Sequence, residues 1–275
     1  MEGRIIKNIS NDYVVSVNDT LYNCKARGKF RKDNITPLVG DIVEIDADNS
    51  YIIDIKKRKN SLIRPSVANV DKAIIVTSVK PKLDTNLLDK LLVIVSYNNI
   101  EPVICFTKLD LLNDLEKDDI NNIISYYKEV GFRVITNTDL DELKVILKDS
   151  LSVFVGQSGA GKSTLLNKLD SSLELKTDEI SKALGRGKHT TRHVELFNVY
   201  DGFVVDTPGF SSLDLTELSN MDIRDNTKEM FDNLSNCKYR DCLHFKEDGC
   251  YIKNLVEEEK ILSSRYVNYL SFLKK

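Results

Sequence analysis

The chain has 275 residues, 41% hydrophobic and 29% charged, which excludes a disordered or fibrous polymer and provides enough apolar side chain for more than one core. Thirty-nine basic residues face 42 acidic ones, a net charge of −3, so the molecule as a whole is not a generic polyanion binder. No run approaches the ~20 apolar residues that span a bilayer, and the opening MEGRIIKNIS is charged where a signal peptide is apolar, so a cytoplasmic protein with no membrane partner is expected.

Residues 3–55 hold five strand-like runs, GRIIKNI, YVVSV, TLYNCKA, DIVEI and YIIDI, separated by Asn-Asp, Asn-Asp-Thr and Asp-Asn-Ser turn signals. So many short strands predict a small OB-type barrel, with a domain over 1–65. That segment carries 12 basic and 9 acidic residues, whereas 66–215 carries 17 and 22. Its cations gather in Lys25-Ala26-Arg27-Gly28-Lys29-Phe30-Arg31-Lys32 and in Lys56-Lys57-Arg58-Lys59. Cations pair with phosphates and Phe30 can stack on a base, so the two runs predict a nucleic-acid face, with a solvated loop as the alternative.

From Asp71 the pattern changes. Apolar runs KAIIVTSV, EPVICF, FRVIT and LSVFV alternate with helical segments near 84–98, 116–130 and 139–149, followed by a helix at 162–169 and the strands VELFNVY and GFVVD. Such alternation predicts a doubly wound parallel sheet covered on both faces, a second domain over 66–215. The remaining 216–275 reads as mostly helical around a cysteine cluster. Cys237, Cys242, His244 and Cys250 supply three sulfurs and one imidazole, the donor set of a closed, structural zinc site; without an export signal a disulfide framework is the poorer reading. Cys24 and Cys105 stand alone in strand-like runs and are expected to be buried.

The sharpest motif is Gly156-Gln157-Ser158-Gly159-Ala160-Gly161-Lys162-Ser163, with Thr164 next, between the strand LSVFV and a helix. Its glycines let backbone amides wrap phosphates at a helix amino end, Lys162 would reach the outer phosphates and Ser163 would ligate magnesium. Asp206-Thr207-Pro208-Gly209 ends the strand GFVVD, where Asp206 can hold the magnesium water shell and Gly209 can meet a γ-phosphate. Thr107-Lys108-Leu109-Asp110 ends EPVICF and is similar to the N-K-x-D motif by which GTPases read guanine. Asp110 would accept from N1–H and the exocyclic amine, Lys108 would lie along the base, and Thr107 shortens the side chain that would touch N7. The base motif precedes the phosphate loop, the reverse of the usual order, as a circular permutation produces. His189 and His193 fall between phosphate loop and next strand; Thr190 or Thr191 could ligate magnesium there. No glutamine follows Gly209, so His189 is the candidate for orienting water.

Barrel, permuted order and cysteine cluster together resemble the circularly permuted ribosome-assembly GTPases of the RsgA family. The resemblance covers the whole chain and rests on TKLD at 107–110, GQSGAGKS at 156–163, GKHTT at 187–191, DTPG at 206–209 and the Cys-Cys-His-Cys set at 237–250. It implies a multidomain α/β protein with an OB-fold, a permuted P-loop GTPase domain and a helical zinc domain. It also implies conversion of GTP to GDP on magnesium, one structural zinc ion, and a late role in maturing the small (30S) ribosomal subunit on its rRNA. Thr136–Thr138 would occupy the remaining base-supporting loop. A monomer whose turnover the subunit accelerates is expected. A metabolic P-loop kinase or ATPase, and an RNA-binding scaffold that does not turn nucleotide over, are the rival readings.

Overall fold

The computed structural model describes residues 1–9, 12–32, 35–62, 66–170, 194–205 and 215–274. Five strands, β1 (Glu2–Ile9), β2 (Asp12–Val17), β3 (Thr20–Ala26), β4 (Ile42–Asp46) and β5 (Tyr51–Ile55), close into a barrel in the order β1-β2-β3-β5-β4. Alternation does the work in β2, where Tyr13, Val15 and Val17 point inward and their neighbours outward. Asn18 and Asp19, both with positive φ (46° and 63°), make the two-residue turn between β2 and β3.

The short helix α1 (Gly28–Lys32) follows β3. It turns Phe30 into the barrel core, leaving the ring only 4% exposed, so Phe30 is not available to stack on a base as expected from the sequence. Burying one large ring on a five-residue helix outweighs leaving it in water. The second basic run is also partly structural. Arg58 donates from Nε and Nη2 to the two oxygens of Asp41, each at 2.7 Å, and Asp41 is fully buried. Lys25, Arg27, Lys29, Lys56 and Lys57 remain exposed on the barrel surface.

A two-stranded ribbon, β6 (Ser61–Leu62) and β7 (Val67–Ala68), leads to the central sheet. Its strands are β8 (Lys72–Ser78), β9 (Glu101–Thr107), β10 (Arg133–Thr136), β11 (Leu151–Val155), β12 (Leu196–Val199) and β13 (Gly202–Val205), in the order β10-β9-β8-β11-β13-β12. Five are parallel, whereas β12 runs antiparallel to β13. The reason lies in the connection: Tyr200 and Asp201, with φ 49° and 59°, join β12 to β13 directly, and a two-residue link cannot make a parallel crossover.

Alternate residues of β8 serve opposite faces. Ala73 and Ile75 pack with Leu88, Leu91, Leu92 and Val95 of α2 (Thr85–Tyr97), and Ile74 and Val76 pack with Leu143, Ile146 and Leu147 of α4 (Leu140–Leu147). α3 (Asp114–Glu129) covers the first face and α5 (Lys162–Leu169) the second. Lys7 of β1 pairs with Glu195 at 2.8 Å, setting the barrel against the β12 edge.

Beyond the sheet lie α6 (Asn220–Asp225), α7 (Lys228–Asp232), α8 (Tyr251–Glu257) and α9 (Ser263–Phe272). Their core includes Ile223, Met230, Ile252 and Tyr269 and takes in Val93 of α2. Arg265 is the polar centre of that contact. It is 2% exposed, meets Asp89 of α2 at 2.6 Å, and grips both oxygens of Glu229 at 2.9 and 3.0 Å. Tyr127 and Asn268 donate to Asp89, and Tyr126 donates to Glu229. Each buried charge is therefore paired and hydrogen-bonded, the condition under which such groups are tolerated. Among the described residues no helix is long and apolar enough to cross a membrane.

Candidate functional site

The strand order decides where a ligand crevice forms. From β8 the chain steps to β9 and β10 on one side, then returns to place β11 on the other. The loops leaving β8 and β11 therefore diverge at their carboxyl ends, the switch point where open α/β sheets bind ligands. Three candidate loops leave that same edge: 107–112 after β9, 136–139 after β10, and 156–161 after β11.

The loop after β11 is fixed by its glycines. At Gly156 φ is 132°, and a Cβ would lie 2.0 Å from the Val76 carbonyl oxygen of β8, so no side chain fits. Gly161, at φ 99°, caps α5 and turns the amides of the next residues along the helix axis. Gln157, Ser158, Gly159 and Thr164 are exposed and Ala160 is buried. Lys162 donates from Nζ to the carbonyls of Gly156 (2.7 Å) and Gln157 (2.8 Å), which holds the ammonium across the loop beside half-buried Ser163. Burial lowers the Lys162 pKa to about 8.

The tetrad 107–110 meets this loop directly. Thr107 Oγ1 donates to the Ala160 carbonyl at 2.7 Å, although 53 residues separate the two in sequence. Lys108 adopts a left-handed conformation (φ 62°), which starts a 3-10 turn over Leu109–Leu111 and leaves Asp110 exposed. After β10, Asp139 accepts from the Thr136 amide and hydroxyl at 2.8 and 2.9 Å, and the Asn137 amide donates to Phe106 of β9 at 3.0 Å. The 136–138 loop thus sits beside the tetrad. His189, His193, Thr190, Thr191, Asp206 and Gly209 lie outside the described residues.

A second candidate site lies in the C-terminal unit. The donor atoms of Cys237, Cys242, His244 and Cys250 all lie within 4.8 Å of one another. Cys237 and Cys250 sulfurs are 3.5 and 3.4 Å from His244 Nδ1. A tetrahedral zinc ion needs a sulfur-to-nitrogen edge of about 3.6 Å, so the set fits that ion. His244 Nε2 lies 3.1 Å from the Met230 carbonyl; a proton donated there leaves the Nδ1 lone pair facing the sulfurs. Tyr266 and Tyr269 of α9 donate to the carbonyls of His244 (2.6 Å) and Leu243 (2.7 Å), and Glu247 accepts from the amides of Leu243 and Phe245. Cys24 and Cys105 are buried in the barrel and in β9.

Two groups escape a reading of the sequence. Thr107 engages the phosphate loop, which no local pattern announces, and Arg265 has partners 36 and 176 residues away. The Ser-Arg-Tyr-Val-Asn-Tyr spacing, which puts Arg265, Asn268 and Tyr269 on one helix face, was the available signal.

The comparisons agree with this geometry. A model of the RsgA N-terminal domain matches residues 2–52, and one of the RsgA GTPase matches 55–216. The small ribosomal subunit biogenesis GTPase RsgA of Enterococcus faecalis is 47% identical over 99% of this chain and 94% of its own length. Small ribosomal subunit biogenesis GTPase RsgA 2 of Listeria innocua is 48% identical over 100% and 97%. Among solved structures, YloQ, a circularly permuted GTPase, superposes with TM-score 0.84 at 38% identity, covering 98% of this chain and 93% of that one. YjeQ from Thermotoga maritima gives 0.85 at 33%, covering 98% and 96%. With a barrel followed by a permuted P-loop sheet and a unit that gathers three cysteines and one histidine, the chain belongs to the RsgA family of circularly permuted GTPases.

Proposed function

We propose that the protein is an assembly factor of the small ribosomal subunit that hydrolyses GTP to GDP and phosphate late in maturation, at a rate the subunit raises. The observation that carries this reading is the 2.7 Å contact of Thr107 with Ala160, which supports one guanine nucleotide lying between Asp110 and the loop 156–163. Asp110 accepts from the guanine edge, with Lys108 along the base and Thr107 tying this tetrad to the loop. The amides of Gly156, Gln157, Ser158, Gly159, Ala160 and Gly161, with Lys162, Ser163 and Thr164, surround the phosphates. Lys162 stabilises charge that builds on the β–γ bridge, because a preorganised ammonium in a partly dry site needs no reorganisation. Ser163 and Asp206 would hold a magnesium ion, which neutralises phosphate charge when bound. His189, Thr191 and Gly209 enter from the sequence alone, as water-orienting residue, switch ligand and γ-phosphate contact.

Cys237, Cys242, His244 and Cys250 would hold one zinc ion with a structural role. The working units are 1–65, 66–215 and 216–275, in a cytoplasmic monomer. Exposed Lys25, Arg27, Lys29, Lys56 and Lys57 support a phosphate-contacting barrel face toward rRNA, through charge rather than through Phe30.

Sedimentation with purified small subunits tests the assignment. Co-sedimentation with a non-hydrolysable GTP analogue should exceed that with GDP, and subunits should raise multiple-turnover phosphate release. Equal rates with and without subunits would refute it. The phosphate end has its own signature. Burial holds the Lys162 pKa near 8, and phosphate anions raise it again, so binding takes up a proton between about pH 8 and the ordinary lysine range. Affinity therefore falls as pH rises through that window. Calorimetry at pH 9 in two buffers of different ionisation enthalpy should show the uptake, and Lys162→Met should reduce it to the share that guanine N1 takes up to donate to Asp110.

A further inference from the structure

We propose that Thr107 is a positioning residue for the phosphate loop and that the site, in consequence, does not read N7 of the purine. The inference rests on the guanine nucleotide reading above and goes beyond it at one atom of the base.

A threonine hydroxyl has one proton to give. Here it goes to the Ala160 carbonyl at 2.7 Å, and the other neighbour of Oγ1, the Thr77 carbonyl at 3.4 Å, is also an acceptor. Purine N7 is an acceptor too, so serving it would mean leaving Ala160. That exchange is unfavourable because Thr107 is 3% exposed and Ala160 1%, and a carbonyl left unpaired there loses its water as well as its partner. A carboxamide at this position has two amide protons and an oxygen, enough for both a loop and a base; threonine serves one.

What the bond fixes is the Ala160–Gly161 peptide. A Cβ at Gly161 would lie 4.0 Å from both Cγ2 and Oγ1 of Thr107, so the side chain packs against this link. Gly161 is the left-handed cap from which α5 starts, and its orientation sets where the following amides aim. A residue that belongs to the base tetrad by sequence thus acts on the phosphates, and guanine selection falls to Asp110.

Binding of GTP, 7-deaza-GTP, ATP and xanthosine triphosphate to the full-length protein and to Thr107→Val and Thr107→Ser tests this. The native protein should bind 7-deaza-GTP within about twofold of GTP while rejecting ATP. Thr107→Val should weaken GTP and GDP alike, by about tenfold, with the GTP-to-xanthosine-triphosphate ratio unchanged, and Thr107→Ser should keep native affinity. A loss of about tenfold on removing N7 in the native protein, a valine variant with altered guanine-to-xanthine selectivity, or one with native affinity would each overturn the inference. ATP binding as tightly as GTP would instead overturn the guanine site itself.

Discussion

Asp110→Asn should convert a guanine nucleotide site into a xanthine one, lowering GTP affinity by about a thousandfold and raising that for xanthosine triphosphate. A carboxylate accepts the two donors that guanine presents at N1 and the exocyclic amine; each hydrogen bond to a charged group contributes about 1.5–3 kcal/mol. Asparagine places one donor where two acceptors were needed, and it instead meets the C2 carbonyl of xanthine. Together the loss and the gain swing selectivity by about ten-thousandfold. Asp110 is exposed on its 3-10 turn and its side chain makes no hydrogen bond or ion pair among those described, so the variant should keep the native melting temperature. Competition binding with both nucleotides checks the change. Unaltered affinities would mean that the carboxylate faces something other than the base, and the adenine-using P-loop reading would gain.

The parts of this site legible in the sequence are those encoded locally. Apolar runs bounded by turns mark all six sheet strands, β12 less cleanly because exposed Asn198 interrupts it, and the loop 156–163 carries its motif in consecutive residues. Proximity of the tetrad and the loop follows from topology: two parallel strands flanking β8 deliver their carboxyl ends to one edge. Phe30 does not read correctly because composition around a ring says nothing of which way a one-turn helix faces; Lys29 beside it stays in water while the ring fills the barrel. Arg58 belongs by sequence to a phosphate-binding run, but Asp41, 17 residues upstream and fully buried, claims it. The orientation of β12 was readable from Tyr200-Asp201-Gly202, since an Asp-Gly step between two apolar runs is a hairpin signal. The Asp89–Arg265–Glu229 cluster was not, because charges that meet only in the folded chain leave no local pattern.

Removing zinc should unfold the C-terminal unit and loosen the helix beneath it. Structural zinc in small units binds with about 10–16 kcal/mol at neutral pH, more than the apolar contacts of some 60 residues can supply alone. The donors sit where that energy is needed: Cys237 follows α7, Cys250 begins α8, and the carbonyls of Leu243 and His244 are held by two tyrosines of α9. Loss of an ion held by these donors would therefore disconnect three helices together. Their core also holds Val93 of α2, and Arg265 on α9 is the counter-charge of Asp89, so withdrawal of α9 leaves a carboxylate on α2 without its guanidinium. Hydrogen exchange on the purified full-length protein, before and after chelation, should show protection lost across 251–272 and reduced in 85–97, with one equivalent of zinc released per chain. Cys242→Ser should shift the same segments. The barrel should keep its protection, because none of its strands contributes to the core that α9 shares with α6, α7 and α8. Full protection of α8 and α9 in the zinc-free protein would mean that the tyrosine clamps and the arginine cluster suffice, and the four donors would then serve some purpose other than holding this unit together.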